Sequence, residues 1–197
     1  MNSPKINSLL SCAEHLKRQN RFQDAIKICE EILMENPQCV LAYEEIGDNY
    51  LSLRKLTKAE KALLYAKKLD HNSANAAYLL GFLYSCLEKW EKSYRELELA
   101  NQLKPNHPEI LRCLGWTLYQ LGKKNDGIAL LERSRNLAPK EIYTLTDLGM
   151  CYLNQKKFRK SQEIFEEVLK IDPNNSIIKH YLNDIIKLIK CQNPNKK

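Results

Sequence analysis

Apolar residues recur along the chain at helical spacing, in short paired runs. In residues 108–141, Leu111, Leu114, Gly115 and Leu118 share one stripe. The segment QLGKKND interrupts it. A second run follows, with Ile128, Leu131 and Leu137, until Ala138-Pro139 closes it. Proline lacks the amide donor and clashes with the preceding turn, so it cannot continue a helix. The pattern predicts two helices, a tight turn between them and a stop. Starts are marked at Ser3-Pro4, at Ser73 and at Pro108, residue types that open helices.

The same pattern returns every 34 residues. Gly47, Gly81, Gly115 and Gly149 fall on one ladder in a chain with only six glycines. Pro37, Pro105, Pro139 and Pro173 form a second, with His71 in the remaining place. A period of this size decides the architecture, because each unit buries its apolar face only against its neighbours. The units are 6–39, 40–73, 74–107, 108–141 and 142–175. Residues 176–191 begin another that stops after one helix, and Ile178, Tyr181, Leu182 and Ile185 fit it as a cap. Residues 1–191 therefore read as one all-α solenoid of helix pairs, and 192–197 as a flexible basic tail. Glycine midway along a helix costs roughly 1 kcal/mol relative to alanine. Its return at one place predicts a close helix crossing there, matched by Ala25, Ala59, Ser93, Gly127 and Ser161 on the second helix.

This pattern resembles the tetratricopeptide repeat family. In the fifth unit the resemblance rests on Leu145, Leu148-Gly149, Tyr152, Ser161, Phe165 and Pro173, and in the third on Ala77, Leu80-Gly81, Tyr84, Ser93, Leu97 and Pro105. The first unit diverges most, with Cys12-Ala13, Leu16 and Cys29 at these places. The resemblance implies a right-handed superhelix of antiparallel helix pairs whose first helices line a concave groove. It also implies a scaffold or adaptor that binds another protein.

On the implied groove face stand Glu44 and Asp48 in the second unit and Tyr78 and Phe82 in the third. The fourth brings Arg112, Trp116 and Tyr119, and the fifth Tyr143 and Met150. Such a face suits a peptide segment with hydrophobic anchors and a basic end near Glu44, Glu45 and Asp48. Aromatic and arginine side chains are frequent anchors of interfaces. Some members of the family hold chaperone C-terminal carboxylates with a lysine and an asparagine. The matching places here are Leu10 and Glu14, so that ligand is not expected.

Other features narrow the picture. The net charge of +7 gathers at the end, where Lys179, Lys187, Lys190, Lys196 and Lys197 face only Asp184. The repeats are nearly balanced, which argues against nucleic acid or a membrane as partner. Arg21, Lys55, Lys89, Lys123 and Lys157 recur at the turns, and an alternative reading makes them a docking ridge for anionic surfaces. Self-assembly is a further alternative. The seven cysteines include no CxxC pair, and the four histidines are isolated, so neither a disulfide framework nor a metal site is expected. No phosphate loop, nucleophile elbow or HExxH motif occurs. The expectation is a cytoplasmic, non-enzymatic protein without cofactor. The segment LLSC at Cys12 follows polar residues rather than an apolar stretch, so a processed leader is not expected.

Overall fold

A computed structural model describes residues 4–192. Its described residues form eleven helices and no strand. They are α1 (Pro4–Arg18), α2 (Phe22–Glu35), α3 (Val40–Ser52), α4 (Leu56–Leu69), α5 (Ala74–Cys86) and α6 (Trp90–Leu103), then α7 (Pro108–Gln120), α8 (Lys124–Leu137), α9 (Ile142–Asn154), α10 (Phe158–Ile171) and α11 (Ser176–Gln192). The chain divides into two compact units, Met1–Pro105 and Asn106–Lys197. The break falls close to the boundary between the third and fourth repeats. Most of the expected tail and the expected start signal at Ser3 lie outside the described residues.

The predicted boundaries have visible causes. Pro108 opens α7 at its first turn. The Ser73 hydroxyl accepts a hydrogen bond from the amide of Ala76 at 3.0 Å and so caps α5. Glu141 caps α9 by accepting from the amide of Tyr143 at 3.1 Å. Within each repeat the turn holds one residue in the left-handed region: Asn20, Arg54, Glu88, Gly122 and Lys156, with φ between 55° and 86°. The next residue is the basic one of the turn ladder. That ladder is therefore fixed by turn geometry as well as by charge.

In the first unit α1 packs on α2, α3 on α4 and α5 on α6, and each pair meets the next through its first helix. The second unit repeats this with α7 on α8 and α9 on α10, and α11 covers α10. In that contact Ile178 and Ile185 are buried, and the ring of Tyr181 lies 5.9 Å from that of Phe165. Ion pairs link successive repeats. Lys17 reaches Glu45 and Asp48, Lys67 reaches Glu96, and Arg135 reaches Glu167.

The glycine ladder marks close crossings, with one correction. A Cβ on Gly149 would stand 2.4 Å from the ring of Phe165, and one on Gly81 2.5 Å from Leu97. These glycines thus receive a large side chain from one turn beyond the small residue. The small residue has a different duty in two repeats: the hydroxyls of Ser93 and Ser161 donate to the carbonyls of Gly81 and Gly149 at 2.8 Å. Gly115 and Gly127 bring backbone closest to backbone: a Cβ on Gly127 would stand 2.5 Å from the Gly115 carbonyl oxygen, whereas one on Gly81 would meet the Leu97 amide nitrogen at 3.2 Å.

None of the seven cysteines is in a disulfide, and four of them, Cys29, Cys39, Cys113 and Cys151, are buried. Burial pushes the thiols of Cys29 and Cys151 up to about 12. The thiolate is the reactive form, so these two are inert in the folded chain. Iodoacetamide on the native protein is expected to label Cys12, Cys86 and Cys191, and to reach the buried four only after denaturation. Peptide mass mapping reads this directly. Labelling of Cys29 as fast as Cys12 would contradict the packing of α2.

Candidate functional site

The first helices of the repeats present the face on which the expected binding residues lie. Its parts belong to two units and are built separately.

In the first unit, α1, α3 and α5 supply the face. Leu41, second residue of α3, is 48% exposed. Near it lies a cavity of about 480 Å³ lined by Leu10, Ser11, Glu14, Leu41, Glu44, Glu45, Asn75 and Lys104. A second, of about 560 Å³, shares Leu41, Glu44, Asn75 and Lys104 with it and adds Asp70 and Ser73. Both volumes fall in the usual range for ligand pockets, about 300–1,000 Å³.

The acidic patch expected here is rearranged. Glu44 is 3% exposed rather than open to solvent. Its carboxylate accepts from the Ser73 hydroxyl and, at 2.9 Å, from the Asn75 amide. Ser73 is also the cap of α5, so Glu44 ties the start of that helix to α3. Asp48 and Glu45 are drawn together by Lys17, whose ammonium stands 2.9 Å from the first and 2.8 Å from the second. Burial pushes the Glu45 carboxyl up, although Lys17 pulls it down. Burial likewise lowers the Lys17 ammonium, but the two carboxylates outweigh it and its pKa ends raised. Spacing within one repeat did not reveal this pairing, because it joins Lys17 of the first repeat to residues of the second.

Tyr78 and Phe82 are half-buried and pack on the cluster of Leu51, Leu63, Leu80 and Leu83. Phe82 also lines a cavity of about 350 Å³ with Asp48, Leu51, Arg54 and Leu56.

In the second unit, α7 and α9 supply the face. Tyr143, second residue of α9, is 69% exposed. The guanidinium of Arg112 lies 5.8 Å from its ring centre. Arg112 is also engaged by Asp147, to which it donates at 2.9 Å across to the next repeat. Tyr119 corrects the reading of the α7 stripe. It is 6% exposed, and its hydroxyl donates to the Cys151 carbonyl at 3.1 Å. Burial raises its pKa. The cause is the neighbouring repeat: α9 covers the end of the stripe that one helix alone would leave open. Trp116 is half-buried, with its ring nearly parallel to that of Tyr119 at 6.3 Å. Met150 is also half-buried and packs, like Trp116, on the cluster that holds Tyr119, Leu131, Leu145 and Phe165.

Among the described residues, no group of three His, Cys, Asp or Glu side chains is placed to hold a metal ion. No described helix is long and apolar enough to cross a membrane.

Helix pairs in constant register, close crossings at small residues and open apolar positions on the first helices define a helical-repeat protein. Residues 142–175 match the family model of the tetratricopeptide repeat, and these are the bounds of the fifth unit. The fifth unit is thus a tetratricopeptide repeat by this match, and the all-helical fold of the described residues is that of the repeat proteins with which it superposes. The chain is 23% identical to the BBSome complex member BBS4 of Bos taurus over 157 residues, covering 80% of this chain and 30% of that one. TTC0263, a thermophilic TPR protein of Thermus thermophilus, has a crystal structure that superposes with a TM-score of 0.77. The identity is 17%, with 92% of this chain and 98% of that chain covered. YrrB, described as a TPR protein with an unusual peptide-binding site, superposes with a TM-score of 0.65 at 18% identity, covering 88% and 89%. The chain spans 23% to 30% of the length of curated relatives such as BBS4, anaphase-promoting complex subunit 3 of Schizosaccharomyces pombe and HilA of Salmonella typhimurium. The fold is that of protein–protein interaction scaffolds and is generally non-enzymatic.

Proposed function

We propose that this chain is a scaffold or adaptor that holds a peptide segment of a partner protein on the face of its first helices. One observation carries the reading. In one repeat of each unit, the second residue of the first helix is a large apolar side chain left open: Leu41 at 48% and Tyr143 at 69%. Ile177, at the same place in α11, is 66% exposed. Apolar side chains left in water at one repeated place offer anchors to a partner. The peptide-binding site in the description of YrrB is consistent with this use of the fold. We place the protein in a reducing, cytoplasmic setting, where its thiols stay reduced.

The test is affinity capture from a native lysate with wild type beside a Leu41→Ala/Tyr143→Ala variant. Both side chains are exposed, so the variant keeps the helical circular dichroism of wild type. Phe82 and Trp116 serve less well, because both are half-buried. A partner retained at least tenfold better by wild type supports the reading. A partner held equally by both, and released from both by raised salt, moves the binding to the basic turns.

A further inference from the structure

The adjoining cavities of the first unit carry an unbalanced charge. Their walls hold four carboxylates, Glu14, Glu44, Glu45 and Asp70, against the single ammonium of Lys104. Lys17 lies beside them but is engaged by Glu45 and Asp48. Glu14 is 54% exposed, with Arg18 at 3.6 Å. Glu44 stands apart. Its carboxylate is almost fully removed from water, the residue lines both cavities, and among the described residues its donors are two neutral groups, the Ser73 hydroxyl and the Asn75 amide. Among the described residues no lysine, arginine or histidine nitrogen lies within 4 Å of it. Taking a carboxylate out of water without a countercharge is costly, so a buried one is ordinarily paired.

We propose that this double cavity is the subsite for a lysine or arginine side chain of the partner peptide, with Glu44 as its counterion. The inference rests on the peptide-holding reading and names the chemistry of the segment held. The aliphatic stem of the incoming residue lies against Leu10 and Leu41, which line the same cavity, and its cation reaches Glu44. Long basic side chains combine an apolar stem with a charged head in this way. Asp48, with Lys17 already on it, is not the receptor of the basic end.

The experiment selects a phage-displayed library of random 16-residue peptides on the full chain. Individual peptides are then measured by fluorescence anisotropy on wild type, Glu44→Gln and Lys104→Ala. A basic residue common to the selected peptides is expected. Its replacement by methionine should weaken binding to wild type at least tenfold and to Glu44→Gln less than twofold, because the penalty belongs to the pair. Lys104→Ala should tighten the basic peptide, since a like charge leaves the wall. Selected peptides without a basic residue, or a methionine penalty of equal size on wild type and Glu44→Gln, overturn the subsite and leave the scaffold standing. Failure to select any peptide overturns the peptide-holding reading and the subsite with it. If Glu44→Gln does not fold, Lys104→Ala decides: unchanged or weaker binding of the basic peptide rejects the proposal.

Discussion

Replacing Gly127 with alanine is expected to destabilise the second unit by about 3 kcal/mol, although alanine is the better helix former. The intrinsic preference favours alanine by roughly 1 kcal/mol. Against it stands the crossing of α7 and α8. A Cβ on Gly127 would lie 2.5 Å from the carbonyl oxygen of Gly115 and 2.7 Å from the amide nitrogen of Tyr119. Both are backbone atoms, so no rotamer change relieves them. The helices must move apart, and Leu131, which fills the space beside Gly115, then loses contact on one side. Overpacking of this kind costs about 1–3 kcal/mol and occasionally more. The control is Gly122→Asn. Gly122 has φ +86° and no atom near its Cβ position, and Asn20 already holds the same turn position in the first repeat. That change should stay within about 0.5 kcal/mol. Urea unfolding gives the size of the loss, and hydrogen exchange should place it in α7 and α8. A neutral Gly127→Ala would mean that the two backbones do not meet as described.

The period was legible in the sequence because glycine and proline punctuate it. The constant step located the repeat boundaries, and Ser73 and Pro108 open their helices as expected. The face of each first helix was legible only in part. A stripe drawn on one helix places Trp116 and Tyr119 together, yet α9 covers Tyr119 and leaves Trp116 half-buried. The same limit applies to charge. Glu44, Asp48 and Arg112 look uncommitted within their own repeats, and each meets its partner about thirty residues away, in a neighbouring repeat. Spacing within one unit reports what a helix presents. It does not report what the next unit places upon it. Leu41 and Tyr143 stayed open because they stand at the start of their helices.

Arg112→Leu is expected to cost about 2 kcal/mol of stability at pH 7, and to cost less as the pH falls. As a groove residue Arg112 would leave stability untouched when removed. The structure instead places its guanidinium 2.9 Å from Asp147, with side-chain exposures of 17% and 21%. Breaking a well-buried pair costs about 3–5 kcal/mol because one charge is left uncompensated; this pair keeps some solvent, which lowers the figure. Burial already holds the Asp147 carboxyl above its ordinary 3.8, with Arg112 pulling it back down. A carboxyl raised on folding means that the folded chain binds the proton more tightly than the unfolded one. Ionisation of Asp147 therefore opposes folding, and stability from this group falls as pH rises above 3.8. Without Arg112 the carboxyl rises further and that penalty grows. The difference between wild type and variant should be largest at pH 7 and shrink toward pH 4, where Asp147 in the variant takes up a proton. Urea midpoints of both proteins across that range measure it. A loss independent of pH would assign the effect of Arg112 to packing of its stem, including its place beside the Tyr143 ring, rather than to the pair that joins the fourth and fifth repeats.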